Sequence, residues 1–255
     1  MDAVVLAAGF ATRLYPLTRD RAKPLLPIGG KPAVFHVLER LFPLARHGLE
    51  RIIVLSNQRF AADFRSALSG RHPVPVEVAS NGAVDERGKR GAVGDMAFGA
   101  SLVTRGKPFL VLAGDNLFTF ELHAAFRRFR ETRAPVVLLR TLQRKEETVL
   151  YNNVRTTADG RLTAFVEKPA KPFARRFALC IYVFPPDVRE DLAAFMAGGN
   201  DPDKAGFFIR WLSRRRPVYT QDPGGTWFDI GSFEEIAAAD RFFGSNGRRG
   251  GRKQD

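Results

Sequence analysis

Residues 6–27 read LAAGFATRLYPLTRDRAKPLLP and follow at once on the apolar run Met1 to Leu6. The apolar run predicts a buried strand, and the small residues after it predict a loop whose backbone can come close to a ligand. Gly9 is the most permissive of these residues because it adopts a positive φ without steric penalty. This stretch therefore predicts an α/β fold whose first strand opens into an anion-binding loop.

Two cations in the same stretch indicate which anion the loop would bind. Arg13 offers a planar fork for two phosphate oxygens, and Lys23 adds a movable point charge. Together they suit a triphosphate better than a single phosphate. The loop matches neither the Walker A pattern nor the three-glycine dinucleotide pattern, which argues against those nucleotide-binding families.

The chain outside this loop alternates apolar β-rich runs with amphipathic helical patterns. DAVVLA (2–7), RIIVLS (51–56) and VPVEVA (74–79) predict strands, and the segments between them predict helices. This βαβαβ order predicts a mainly parallel sheet covered on both faces. A further buried strand, PFLVLAGD, ends in Asp115, and ligands gather at the carboxyl ends of such strands.

The second half of the chain has a different pattern. YNNVRTT and LTAFVEK predict paired short strands, because Asp159-Gly160 between them is a strong hairpin signal. After two more helical stretches, the chain ends in a helix entered at Ser232. We expect a single domain over residues 1–243 and a basic, disordered tail over residues 244–255.

Composition limits the classes of function. The chain has 255 residues, 45% of them apolar, and a formal charge of +13, of which the last twelve residues supply +3. Such a charge favours anionic partners, but no nucleic-acid motif accompanies it, so nucleic acid is not expected as a partner. No apolar run approaches the roughly 20 residues of a membrane span, so we expect no membrane association and a cytoplasmic location. Cys180 lies in the apolar run FALCIYVF, where we expect a small buried hydrophobe.

Four motifs together resemble a known family, the sugar-1-phosphate nucleotidylyltransferases. LAAGFATRLYPLTRDRAKPLLPIGGKP resembles the family's entry motif, AGDNLF its metal-binding Gly-Asp-Asn, FVEKP its sugar-site Glu-Lys-Pro, and WFDIGSFEEI its closing element. The motifs occur in the family's order between residues 3 and 236. The resemblance implies a three-layer α/β/α Rossmann-like fold of the nucleotide-diphospho-sugar transferase type, with a small β-containing lid over the sugar.

The resemblance also implies a reaction and its residues. A sugar 1-phosphate would attack the α-phosphorus of a nucleoside triphosphate, dTTP or UTP being favoured, and give an NDP-sugar and pyrophosphate with Mg²⁺ as cofactor. Arg13, Lys23 and Lys168 would be catalytic. The implied metal ligands are Asp115 and Asp229, and the implied sugar contacts are Asn153, Glu167 and Lys168. The implied nucleotide contacts are Leu6, Ala7, Ala8, Gly9, Ala11, Thr12, Arg13, Lys23, Asn81 and Gly91.

Other readings stay open at this point. Cytidylyl transfer to a phosphorylated alcohol would use the same phosphate machinery, and a regulatory paralogue would bind nucleotide sugar without turnover. A nucleic-acid-binding module is suggested by charge alone. Members of the resembled family commonly associate with copies of themselves, so the resemblance implies a possible homo-oligomer. The sequence departs from the family pattern at Ala11 and Cys180, where glycine is usual, and at Ala22 before Lys23, where proline is usual.

Overall fold

The computed structural model describes residues 1–142 and 145–250. Its core is a seven-stranded sheet in the order β12-β8-β11-β6-β1-β4-β5. The strands of this sheet are β1 (Asp2–Ala7), β4 (Arg51–Ser56), β5 (Val76–Ser80), β6 (Phe109–Ala113), β8 (Val136–Thr141), β11 (Arg176–Phe184) and β12 (Tyr219–Gln221). β11 is antiparallel to both of its neighbours, whereas the other pairs in the sheet are parallel.

Short strands outside the sheet form three two-stranded pairs. They are β2 (Pro27–Ile28) with β3 (Lys31–Pro32), β7 (Asn116–Phe118) with β13 (Trp227–Asp229), and β9 (Asn153–Thr156) with β10 (Leu162–Val166). The last pair is the predicted hairpin, and Gly160 takes φ +81° in its turn. The sequence did not predict β7, whose antiparallel pairing with β13 connects distant parts of the chain.

Helices cover both faces of the sheet. They are α1 (Ala33–Leu41), α2 (Ala61–Ala67), α3 (Gly91–Leu102), α4 (His123–Thr132), α5 (Val188–Ala197), α6 (Ala205–Ser213) and α7 (Phe233–Gly250). One face packs against α1, α2, α4 and α7, and the other against α3, α5 and α6. Successive side chains of β1 point to opposite faces, so Val4 lies in the second core while Ala3 and Val5 lie in the first.

The architecture confirms the predicted three-layer α/β/α class with a mostly parallel sheet. α7 continues to Gly250, so the last helix passes the predicted domain end at residue 243. The remainder of the predicted tail, residues 251–255, lies outside the described residues. None of the described helices is both long enough and apolar enough to cross a membrane.

Candidate active site

A cavity of about 590 Å³ opens at the carboxyl ends of β1 and β6. The loop after β1 forms one wall, and the elements around the β9–β10 hairpin form another. Residues lining it include Leu6, Ala8, Gly9, Ala11, Thr12, Arg13, Lys23, Gly91, Asp95, Asp115, Asn152, Glu167, Cys180, Tyr182, Lys204 and Asp229. The structure thus brings most of the predicted site residues to one place.

The loop after β1 has a defined conformation. Ala11 takes φ +50° and ψ +42°, the left-handed region that L-residues other than Asn and Asp rarely adopt. Its carbonyl accepts a hydrogen bond from the Thr18 hydroxyl at 2.8 Å. The buried Asn57, which directly follows β4, donates to the Ala8 carbonyl at 3.0 Å. These bonds hold the loop open, with Gly9 and Arg13 exposed at its surface.

Lys23 and Asp115 form an ion pair in the middle of the cavity. Burial alone would lower the pKa of Lys23, but the carboxylates of Asp115 and Asp229 outweigh burial and raise it. Burial opposes ionisation of Asp115 too, yet the neighbouring Lys23 ammonium holds the pKa of that carboxyl below its ordinary value. The pair is therefore charged at neutral pH and lies directly under the loop.

Asp229 lies beside this pair because of the β7–β13 pairing. Asp229 is opposite Asn116 in that ladder, and the Ile230 amide donates to the Asp115 carbonyl at 3.4 Å. The indole of Trp227 donates to the Asn116 side chain at 2.8 Å and fixes the pairing. Burial, and then the nearby Asp115 carboxylate, raise the pKa of Asp229 to about 7. The carboxylates of Asp115 and Asp229 thus repel each other in a buried region, and the Lys23 ammonium partly offsets this repulsion.

The donor set fits a hard divalent cation. In the described part of the chain, no group of three or more His, Cys, Asp or Glu side chains is placed to hold a metal ion. Asp115 and Asp229 could supply two carboxylate oxygens, and Mg²⁺ commonly takes one or two carboxylates and completes its shell with water and substrate phosphate. Burial first, and then the neighbouring Asp115 carboxylate, disfavour the charged form of Asp229, and a bound cation would offset both effects.

Of the three residues predicted to contact a sugar, one lines the cavity, one is exposed and one is buried behind the cavity wall. Glu167 is half-buried on the cavity wall, 4.0 Å from the Lys204 ammonium, and burial raises its pKa. Lys168 is exposed and does not line the cavity, although its charge acts on Asp229. Asn153 is fully buried away from the cavity, and its side-chain oxygen accepts the Phe173 and Ala174 amides at 2.8 and 3.1 Å. Its neighbour Asn152 lines the cavity instead.

Two predicted nucleotide contacts also lie behind the cavity surface. Ala7 is buried in the sheet. Asn81 is 3% exposed and donates from its side-chain nitrogen to the Asp95 carboxylate at 2.7 Å, while its oxygen accepts the Ala83 amide at 2.9 Å. Gly91 does line the cavity; it takes φ +74°, and its lack of a β-carbon lets it pack on the carbonyl of Pro202.

Several lining residues were not singled out by the sequence. Asp95 lies within a helix of otherwise small and apolar residues, and Lys204 lies between a loop and α6, so neither belongs to a recognisable motif. Cys180 was expected to be buried, but it is half-buried and borders the cavity on the same strand face as Tyr182. Burial, and then the Asp115 carboxylate, raise the pKa of its thiol to about 12.

Comparisons with known proteins agree with this architecture. The chain is 28% identical over 251 residues to a UTP–glucose-1-phosphate uridylyltransferase of Synechocystis sp., covering 94% of this chain and 63% of that protein. It is 29% identical over 188 residues to the uridylyltransferase AglF of Haloferax volcanii, covering 74% of this chain and 73% of that protein. A mannose-1-phosphate guanylyltransferase catalytic subunit beta of Drosophila pseudoobscura is 27% identical, and the match covers 90% of this chain and 58% of that protein. The chain thus spans less than two thirds of two of these relatives.

Solved structures share the fold. A putative glucose-1-phosphate thymidylyltransferase from Bacillus anthracis superposes with a TM-score of 0.81 at 19% identity, covering 96% of this chain and 95% of that one. A UDP-glucose pyrophosphorylase complexed with UDP-glucose gives a TM-score of 0.78 at 19% identity, with 96% and 98% coverage. The family profile described as Nucleotidyl transferase matches residues 2–246. The chain therefore belongs to the nucleotidyl transferase family, as its four motifs predicted.

Proposed function

We propose that this protein joins a nucleoside triphosphate to a sugar 1-phosphate and releases an NDP-sugar and pyrophosphate. One observation carries the proposal: Asp115, Asp229 and Lys23 meet in a single cavity beneath a loop of small residues that bears Arg13. Relatives named as uridylyl-, guanylyl- and thymidylyltransferases of sugar 1-phosphates support the same reaction class.

The reaction needs a site that overcomes the repulsion between two polyanions. An ionised oxygen of the sugar phosphate forms a bond to the α-phosphorus, and the bond from that phosphorus to the bridging oxygen of pyrophosphate breaks. The nucleophile is already deprotonated, so no general base is required. Positioning and charge stabilisation then supply the rate enhancement, and both are properties of this cavity.

The phosphates would bind at the loop after β1. Gly9 and Ala11 keep the backbone accessible, and Arg13 is exposed beside them with its fork free to take two phosphate oxygens. Lys23, paired with Asp115, would hold charge at the α-phosphate. Pyrophosphate would leave along the Arg13 side of the loop, where its charge stays compensated.

Asp115 and Asp229 would hold Mg²⁺. When bound, the ion supplies charge neutralisation at the reacting phosphates. The chain's part would be to hold two carboxylates on one side of the α-phosphate, and the β7–β13 pairing, which brings Asp229 at the end of β13 beside the turn that carries Asp115, supports this role.

The sugar phosphate would enter from the hairpin side. Glu167, on the cavity wall, would accept hydrogen bonds from sugar hydroxyls, and the exposed Lys168, whose charge acts on both Glu167 and Asp229, would meet the phosphate. Asn152 holds the backbone of Ala178 through bonds of 2.6 and 3.0 Å, so it shapes this wall. For the nucleotide, we propose dTTP or UTP, with cytidylyl transfer to a phosphorylated alcohol as the alternative.

A pyrophosphate-release screen tests the proposal. Five nucleoside triphosphates are crossed with sugar 1-phosphates and alcohol phosphates, each with and without Mg²⁺. We expect release that depends on both substrates and on the metal. If no pair of substrates releases pyrophosphate above the rate with either substrate alone, the proposed function is wrong.

A further inference from the structure

Asp95 is a buried carboxylate on the cavity wall for which the proposed chemistry has no use. It lies on α3, is 9% exposed and lines the same cavity as Asp115. Among the described residues, the Asn81 amide is its hydrogen-bond donor, reaching one carboxylate oxygen at 2.7 Å. Because a buried carboxylate with one partner retains unused acceptor capacity, the second oxygen is available to a ligand.

The sheet order shows which end of the cavity Asp95 occupies. Asn81 directly follows β5, the outermost strand on one side, whereas Cys180 lies on β11, four strands away in the order β11-β6-β1-β4-β5. At about 4.8 Å per strand, these positions are separated by roughly 19 Å across the sheet. Glu167 and Lys168 lie toward β11, whereas Asp95, on a helix that packs over β1 and β4, bonds to Asn81 and therefore lies toward the β5 end. If the proposed function holds, that end receives the nucleoside.

Asp95 is also held in a fixed orientation. The Asn81 oxygen is tied to the Ala83 amide at 2.9 Å, so the Asn81 nitrogen must point at Asp95. The Arg90 side chain donates from Nε to the Asn81 carbonyl at 2.8 Å and stacks on Phe98, with its Cζ 4.7 Å from the ring centroid. Burial raises the pKa of the Asp95 carboxyl, and the Asn81 amide and the nearby Arg90 charge partly offset this effect in favour of the carboxylate.

We propose that Asp95 determines nucleotide choice by accepting a hydrogen bond from a ring N–H of the base, with Asn81 as its positioning residue. Uracil, thymine and guanine carry a ring N–H on the edge used for base pairing, whereas cytosine and adenine carry a ring nitrogen lone pair there. A carboxylate oxygen attracts the first group and repels the second. The inference rests on the proposed function for the position of the nucleoside, and it selects within that function against cytidylyl transfer.

Calorimetric titration of UTP and CTP, with Mg²⁺ but without sugar phosphate, tests the inference. The wild-type protein is expected to bind UTP about 10- to 100-fold more tightly than CTP. This ratio of dissociation constants corresponds to the gain of one hydrogen bond to a charged group. Asp95→Asn keeps the side-chain volume and an oxygen for Asn81, but its amide can turn a donor toward cytosine. The UTP preference is expected to fall to within a few-fold in this variant.

Asp187→Asn is the matched control. Asp187 is an exposed aspartate that pairs with Arg216 at 2.8 Å outside the active-site cavity, so its substitution should leave the UTP preference unchanged. Equal affinity of the wild-type protein for UTP and CTP overturns the inference, and so does a preference that survives Asp95→Asn. If Asp95→Asn does not fold, as judged by circular dichroism, the wild-type affinity ratio still decides.

Turnover separates the two proposals. A protein that selects UTP through Asp95 but releases no pyrophosphate would refute the proposed function and retain the inference. Pyrophosphate release with an affinity ratio unaffected by Asp95→Asn would do the opposite.

Discussion

Asp229 lies opposite Asn116 in the β7–β13 ladder, which puts its carboxylate beside Asp115 although the two aspartates come from remote parts of the chain. Neither short strand belongs to the main sheet. The pairing is nevertheless what assembles the charged centre of the cavity.

Removing either carboxylate should stop turnover while having opposite effects on stability. Asp115→Asn and Asp229→Asn are each expected to lower kcat by about 100-fold or more, because charge neutralisation at the phosphates is lost. Asp115→Asn should also destabilise the fold by about 1–3 kcal/mol, since it leaves Lys23 without its ion-pair partner. Asp229→Asn should be neutral or stabilising, because it relieves repulsion. Pyrophosphate release and urea denaturation measure the two effects, and near-normal turnover in both variants would contradict the proposed role.

The pKa of Asp229 predicts a pH dependence of the metal-free protein. This pKa is about 7 in the folded state against an ordinary value of 3.8, so between these values the folded state holds more protons than the unfolded state. The contribution of Asp229 to the free energy of unfolding should therefore fall as pH rises from about 4 to about 7. Asp229→Asn should abolish this component of the pH profile in urea titrations.

Metal affinity should change in the opposite sense over the same range. Mg²⁺ requires the ionised carboxylate, so binding should strengthen as pH rises through about 7 and should release a proton. Calorimetric titrations of Mg²⁺ in two buffers of different ionisation enthalpy measure that proton. A metal affinity independent of pH between 6 and 8 would mean that Asp229 is not a ligand.

Lys168→Ala should act on the sugar phosphate. Lys168 is exposed after β10, so its loss is expected to raise the KM for the sugar phosphate by about 10-fold and to leave the fold intact. Lys171 is an exposed lysine three residues later, and Lys171→Ala is the matched control, expected to leave KM unchanged. Equal effects of the two substitutions would show only a general contribution of positive charge.

Gly91→Ala should damage the fold at the start of α3, where the chain packs against Pro202. A β-carbon at Gly91 would lie 2.5 Å from the Pro202 carbonyl oxygen, in addition to the strain of φ +74°. We expect a loss of about 3 kcal/mol or more in the free energy of unfolding. Gly48→Ala is the control, because Gly48 has φ +87° but no heavy atom within 4 Å of the added carbon, and it should lose only about 1 kcal/mol. Urea titrations compare the two.

Ala11→Gly should increase stability. Ala11 takes a left-handed conformation at φ +50°, which costs an L-residue about 1 kcal/mol more than glycine. Since glycine is also more flexible in the unfolded chain, the net gain should be up to ~1 kcal/mol. Ala11→Val should instead destabilise the fold, because a β-branched residue fits this region poorly. A lower midpoint of urea unfolding for Ala11→Gly than for the wild-type protein would contradict the prediction.

The sequence predicted what depends on local pattern. Alternating apolar strands and helices specified the layered fold, and Asp159-Gly160 specified the hairpin. The loop after β1 and the two cations predicted to bind phosphate, Arg13 and Lys23, come from one short stretch of sequence, and all of them line the cavity.

Features that depend on contacts between distant parts of the chain could not be predicted from local sequence patterns. β7 has only three residues and forms because β13 pairs with it. A strand this short has no alternating sequence pattern from which it could be predicted. Asn81 was expected to face the nucleotide, but its side-chain amide instead donates a hydrogen bond to the Asp95 carboxylate on α3. Likewise, Asn152 and Asn153 are adjacent and chemically identical, and only the register of β9 decides which of them lines the cavity.

The position of β13 near the end of the described chain has a consequence for synthesis on the ribosome. When β6 emerges from the ribosome, the nascent chain already contains the loop after β1 with Arg13 and Lys23. The partner strand of β7 is still being translated at that point. Under the proposed function, turnover requires that residue 229 has cleared the exit tunnel and that β13 has paired with β7. A product truncated before Trp227 would contain the loop after β1 but would lack both Asp229 and the partner strand of β7.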